Sequence, residues 1–404
     1  MMKAVHNRTG PKNDKLLFWT AFFMAFPAFT FLGQQIASVL LLIFFYNKLG
    51  NFSGYSNIKI ASIGLFFLFG SIVSVIDSNV EKDLDLSLKV LPNYIYWSTM
   101  LIFLPHYFSK INFYVIYKGI TYGILSLVLA NFLNEPLKSL LPFLRFPDNN
   151  GLAFMLIIFS PIVFFYLEQQ RKIYFYGYTL VILIAMLLFE RRAGFIIVAT
   201  EFVLFILISR LNTRTVFTFL LVTFGIFISS QTEFFENFIL SKSERIHAFM
   251  YENEESKLLD QSALTRKAMV EKGLIIFSEH PLTGIGLNNF IDYDVNVPLA
   301  FEGGEVLANK DLSNKSAHNS YIAILSGGGL LLFVPFMLLL LYIISKLSLN
   351  LKNLDDFQRP IILSFVGMIV HLFYISSIVN VFTWFFISIA ATFTLGKRLN
   401  YKRV

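Results

Sequence analysis

The sequence contains no cysteine. Disulfides, iron–sulfur clusters and thiolate metal sites are therefore excluded. Charge is the second scarcity. Only 15% of residues are Asp, Glu, Lys or Arg, against about 25% in an ordinary soluble domain. A soluble chain of 404 residues would need far more polar surface. Hydrocarbon fills the chain instead: 56% of residues are hydrophobic, 47 are phenylalanine, and mean hydropathy is +0.64. The net charge of +7 would suggest nucleic acid in a soluble protein. Here the basic residues fall mostly in short segments between apolar runs, where they set membrane orientation, so no nucleic-acid partner is expected. A cleavable leader is not expected either, because the basic start runs into the apolar stretch 16–32 without a clear small-residue cleavage site.

The apolar runs reach or approach the length of about 20 residues that carries a helix across a bilayer. They fall at 16–32, 33–47, 58–77, 90–108, 111–133, 151–167, 173–189, 193–209, 215–230, 320–345, 360–377 and 378–396. Backbone groups in lipid must be satisfied internally, and spans of this length do so as helices rather than as a barrel. The predicted fold is an all-α polytopic membrane protein of about twelve transmembrane helices. Residues 1–230 hold helices one to nine, 231–319 form one large loop, and 320–404 hold the last three helices and a tail.

Orientation follows from Lys and Arg. Both ends of the chain are basic, and so are the even-numbered connections: Lys48, Lys110, Arg171 with Lys172, Arg210 with Arg214, and Lys346, Lys352 with Arg359. These predict a cytoplasmic side that carries both termini. The odd-numbered connections, such as 77–89 and 134–150, are neutral or mixed. One short odd connection breaks the rule. Glu190-Arg191-Arg192 places two arginines on the outer face, where charge so near hydrocarbon suggests a functional site. The large loop follows the ninth span and lies outside too. It opens with a helical, charged stretch (241–272), continues into an amphipathic run (274–277) and then a turn-rich segment from His280 to Phe290. A module this small buries little core by itself, so it is expected to pack on the membrane bundle as a cap.

Four short motifs carry a resemblance. Ser316-Ala317-His318-Asn319-Ser320-Tyr321, followed by Gly327-Gly328-Gly329 and an apolar span, resembles the hallmark of the O-antigen ligase and polymerase superfamily. In that family a His-Asn-Ser or similar triplet ends the large periplasmic loop, and a glycine-containing patch follows. His280-Pro281-Leu282-Thr283-Gly284-Ile285-Gly286 is similar to its His-Pro-x-x-Gly-x-Gly segment. Arg192-Ala193-Gly194 resembles its Ser-Arg-small-small motif, with Arg191 standing where the family has serine. Arg266 lies upstream of His280, where the family places a second arginine, but without the aromatic residue that often follows.

The resemblance implies a GT-C-like fold in the cell inner membrane with its active site on the periplasmic face. It implies a metal-independent, inverting glycosyltransferase without a cofactor. A glycan would pass from undecaprenyl diphosphate to an acceptor hydroxyl, on lipid A-core in a ligase or on another glycan chain in a polymerase. A third branch glycosylates protein hydroxyls, and the expectation leans away from it because no extra C-terminal domain is present. Under this reading His318 is the catalytic base, and Arg192, Arg266 and Arg191 bind the diphosphate. The residue chemistry fits independently. Arginine forks bind phosphate oxygens bidentately and stay charged, and an imidazole titrating near about 6.5 can take a hydroxyl proton.

Plainer readings stand beside these. Arg191 can snorkel and anchor a helix in headgroups, and Arg266 can be an ordinary surface charge. His318 can be an interfacial histidine at the start of the tenth span, with Ser320 the favoured helix cap. Gly327–Gly329 can serve close helix contact, and His280 reads as structural, before a proline turn. His371, inside the eleventh span, fits a functional group or a hydrogen-bonded core histidine equally. Glu190, Asp292 and Asp294 are candidates to hold acceptor hydroxyls or orient His318. A flippase or other transporter would line a transmembrane path with charge, whereas these spans are nearly free of it.

Overall fold

Long stretches of Leu, Ile, Phe and Val, broken by few charges, can satisfy their backbone only within each segment. They coil accordingly. The computed structural model describes residues 11–26, 36–43, 58–77, 84–108, 113–132, 149–188, 261–295, 297, 316–350, 354–373 and 381–394, and among these all regular structure is helical. In chain order the helices are α1 (Pro11–Ala25), α2 (Ile58–Ile76), α3 (Leu84–Phe108), α4 (Phe113–Phe132), α5 (Asn149–Gln170), α6 (Lys172–Leu188), α7 (Gln261–Glu279), α8 (Ser320–Asn350), α9 (Gln358–His371) and α10 (Val381–Phe393). Residues 36–43 are helical as well. Lys59–Ile76, Phe113–Ala130 and Ser320–Leu349 are long and apolar enough to cross a membrane, by length and composition, while Ile173–Ile182 and Thr383–Phe393 are shorter apolar helices.

Every span drawn from hydropathy overlaps a helix, except 193–209 and 215–230, which lie outside the described residues. Several helix ends fall a few residues from the expected bounds; α1 begins at Pro11 rather than 16, and α8 runs to Asn350 rather than 345. Helix α3 begins at Leu84, which draws Lys89 into the helix. Helix α7 runs unbroken from Gln261 to Glu279, joining the charged stretch and the amphipathic run that composition had separated.

Helix α2 packs between α3 and α8; α1 lies on α4; α5 touches α4, α6 and α9; α10 lies against α3 and α9. At the centre, the ring of Phe67 meets Trp384 at 5.0 Å, Tyr94 at 5.9 Å and Phe336 at 6.4 Å. Four helices (α2, α10, α3, α8) are thereby locked through aromatic faces, each such pair adding about 0.5–1.5 kcal/mol beyond its buried area.

Hydrogen bonds sort the helix ends into two groups. The Ser74 hydroxyl near the end of α2 donates to the Gly327 carbonyl, and the Ser87 hydroxyl near the start of α3 donates to Leu287. The amide of Ser320 donates to Leu372, at the end of α9. One end of the bundle thus gathers the end of α2, the start of α3, the 280–295 segment and the start of α8. At the other end the Tyr117 hydroxyl donates to the Phe357 carbonyl, and the Gln170 amide donates to the Tyr114 hydroxyl at 3.0 Å. Arg171, Lys172 and Arg359 belong to that second end.

Candidate functional site

The first end of the bundle holds His318. Asn319 caps α8: its side-chain oxygen accepts from the amides of Tyr321 at 2.9 Å and Ile322 at 3.1 Å, the bonds an N-cap residue makes. The cap is therefore Asn319 rather than Ser320, which is buried as the first helical residue while its amide bonds Leu372 at 2.8 Å. Asparagine and serine suit a cap equally by composition, and the chain path chooses between them. The amide of Ala323 donates to the Asn319 carbonyl. With the first-turn amides so engaged, α8 offers no free backbone cradle for an anion. His318 precedes the cap, exposed, at φ 47°. Non-glycine residues rarely adopt positive φ, and such strain clusters where a side chain must be aimed.

Helix α8 is broken at Gly329, whose φ is 57° and ψ −158°. In an unbroken helix the Leu330 amide would bond the Ser326 carbonyl, and Leu331 would bond Gly327. Here the turn after α7 takes all of these groups. Leu330 donates to Pro281 at 2.9 Å and Leu331 donates to Leu282 at 3.1 Å; Ile285 donates to Ser326 and Gly286 donates to Gly327, each at 3.0 Å. The His-Pro-x-x-Gly-x-Gly segment and the triple glycine are therefore one hydrogen-bonded unit. A Cβ on Gly329 would lie 2.4 Å from the Leu282 carbonyl, and one on Gly284 (φ 67°) would lie 2.4 Å from that of Ser326. The glycines do permit close contact, as expected, but with the backbone of the turn rather than with a neighbouring helix alone.

Helix α7 packs on α8. Ala268, Met269, Ile276, Ile285, Phe290, Val297, Ala317 and Ile322 make a small core of their own, which ties α7 and the turn to the start of α8. Arg266 is exposed on α7, two positions before Ala268 of that core, and His318 follows Ala317. Arg266 thus stands on the helix that supplies part of this core, and His318 stands next to the core in sequence. Arg191 and Arg192 lie outside the described residues, as does Glu190.

Lys272, Glu279 and Tyr293 escaped the sequence reading. Lys272 is buried on α7 with its ammonium 5.0 Å from the Phe290 ring centre. Burial lowers its pKa from the ordinary lysine value, and the charges of Asp294 and Asp292 oppose that shift. Asp292 and Asp294, candidates to hold acceptor hydroxyls or orient His318, thus also act on Lys272. His280 Nε2 lies 3.0 Å from the Tyr293 hydroxyl, which donates to Glu279 at 3.3 Å. Burial first, then the Glu279 carboxylate, raise the Tyr293 pKa. His280 accordingly joins α7 to the far side of the turn, in keeping with its structural reading. His371 is buried at the end of α9, next to the Leu372 carbonyl that receives Ser320.

Among the described residues the protein is all-helical, with apolar helices of membrane-spanning length and, at one end, an exposed histidine ahead of a broken helix. Residues 177–337 match the family model described as O-antigen ligase. That region contains all four motifs, and the match supports the resemblance to the O-antigen ligase/polymerase superfamily. No curated protein matches the chain.

Proposed function

We propose that the protein is an O-antigen ligase-like glycosyltransferase of the cell inner membrane. Its donor is a glycan on undecaprenyl diphosphate, its acceptor a hydroxyl on lipid A-core, and its working face periplasmic, with both termini cytoplasmic and residues 231–319 as the outer cap. The observation that carries this reading is His318, exposed at a strained backbone position beside the core that also holds the Arg266-bearing helix, within the matched region.

In the reaction His318 accepts the proton of the acceptor hydroxyl. The freed oxygen attacks the anomeric carbon from the face opposite the phosphate, and the glycosidic C–O bond breaks with inversion. Its electron pair leaves on undecaprenyl diphosphate. Arg192 and Arg266, with Arg191 beside them, neutralise the charge that grows there. Positioned cations in a site of low dielectric stabilise such a charge strongly, and they supply the neutralisation for which other glycosyltransferases use a metal ion.

The test is transfer by purified protein in vesicles with lipid-linked donor and acceptor. His318→Ala is expected to lower the rate by about a hundredfold or more, and Arg192→Ala and Arg266→Ala to lower it with a rise in donor KM. Wild-type rates in both His318→Ala and Arg192→Ala would overturn the mechanism, and a requirement for added divalent metal would overturn its metal independence. The polymerase alternative uses the same residues, so gene deletion separates the two. Loss of a ligase leaves lipid A-core without long chains, and loss of a polymerase leaves single repeat units attached.

A further inference from the structure

Serines inside helices ordinarily turn their hydroxyls back on their own helix. Ser71 bonds Phe67, Ser98 bonds Tyr94 and Ser326 bonds Ile322, each four residues back. Ser74 and Ser87 do otherwise. Ser74 on α2 donates 2.7 Å to Gly327, at the break of α8, and Ser87 on α3 donates 2.9 Å to Leu287, in the turn seated in that break. Both are fully buried. Gly70, one helical turn before Ser74, brings α2 so close that an added Cβ would lie 2.6 Å from the Leu331 carbonyl. The α2–α3 pair therefore grips the turn and the break from one side.

The segment of α8 ahead of the break runs from Ser320 to Gly328 and carries His318 just before its cap. Its two ends are fixed differently. The leading end is held by Leu372 through the Ser320 amide and by the Tyr321 hydroxyl, which donates 3.0 Å to Ile369. The trailing end is held by the turn and by Ser74. A break normally makes a helix free to pivot, because the hydrogen bonds that would stiffen it are missing. Here the turn takes the Leu330 and Leu331 amides and the Ser326 and Gly327 carbonyls, and the turn is anchored by Ser87.

We infer that Ser74 and Ser87 are positioning residues for the base: through the turn and the break they fix the angle of the short helix that presents His318 to the acceptor. This rests on His318 being the base. The two hydroxyls touch neither donor nor acceptor, so removing them alters the alignment of the base and leaves donor binding intact. Displacements of about 1 Å at a reacting group cost up to about a hundredfold in rate.

The experiment compares wild type, Ser74→Ala, Ser87→Ala, the double variant, Ser71→Ala and His318→Ala in the vesicle transfer assay, each corrected for its folded fraction. The alanine changes add no volume, which keeps the fold accessible. For the double variant kcat is expected to fall at least about tenfold with donor KM within about twofold, and the acidic limb of the pH–rate profile to move. Ser71→Ala should match wild type. Loss of folded protein would scale the rate without moving the pH profile, so an unmoved profile assigns the serines to stability alone and overturns the inference. An unchanged kcat in the double variant also overturns it, while the base reading survives. If His318→Ala transfers at the wild-type rate, the base reading itself fails, and the two failures are distinguishable. Should the double variant not fold, the single variants carry the same comparison.

Discussion

Asn319 illustrates how one side chain can fix the start of a helix and the residue just before it. Its oxygen serves two amides at the start of α8, and the histidine it follows sits at positive φ. Asn319→Ala is expected to destabilise the protein by about 1 kcal/mol, read as a lower thermal midpoint in detergent, and Asn319→Asp should restore most of it. Lys272 makes a second prediction at this scale. Its folded-state pKa is lowered by burial, so between that value and about 10.4, where a free lysine titrates, the unfolded chain binds more protons than the folded one. Stability must then rise with pH across that window, and the buried charge weighs against folding below it. Lys272→Met should remove this rise, so that the stability of variant relative to wild type falls as the pH climbs toward the ordinary lysine value. Parallel melting curves for the two proteins across the alkaline range would contradict the assignment. Of these groups, His318 and Arg266 were legible from their motifs. Lys272 was not, because burial of a lysine in a charged stretch leaves no mark in the local pattern, and its partner ring lies on a separate segment.

Helix α8 shows where element-level reading from sequence succeeds and where it stops. Its apolar run is plain from composition, but the capping residues alone favoured Ser320, and the chain path gives the cap to Asn319. The glycines were visible, and so was the turn motif, but nothing in periodicity tells that Pro281–Gly286 supplies the hydrogen bonds the glycines release. That pairing is a tertiary event between segments with an entire acidic stretch between them. It makes the glycines unequal, which is testable. A Cβ on Gly327 meets nothing closer than the Gly286 carbonyl oxygen at 3.3 Å, and alanine favours helix over glycine by roughly 1 kcal/mol, so Gly327→Ala should be nearly neutral. Gly329 combines φ 57° with a 2.4 Å approach to Leu282, and Gly329→Ala should destabilise by more than about 2 kcal/mol. Thermal unfolding of the two variants in one detergent decides it. Equal midpoints would mean that the break does not take its shape from the turn.

At the scale of the molecule the open question is which end of the bundle faces outward. The end of α2, the start of α3, the 280–295 segment and the start of α8 share one end through Ser74, Ser87 and Ser320. Tyr117, Gln170 and Phe357 mark the other, close in sequence to Arg171, Lys172 and Arg359. Positive charge is retained on the cytoplasmic side, so the second end should lie inside and the His318 end outside. The absence of cysteine makes this direct to measure, because any cysteine introduced is the sole thiol. Leu282 is 64% exposed at the first end, and the Asp356 side chain is 61% exposed at the second. A membrane-impermeant maleimide on intact spheroplasts should label Leu282→Cys at once and Asp356→Cys only after the membrane is opened with detergent. The reverse pattern would place His318 in the cytoplasm, away from a donor presented on the periplasmic leaflet, and the proposed transfer would fail with it. Labelling of both without detergent would mean that the two ends do not lie on opposite sides of a bilayer.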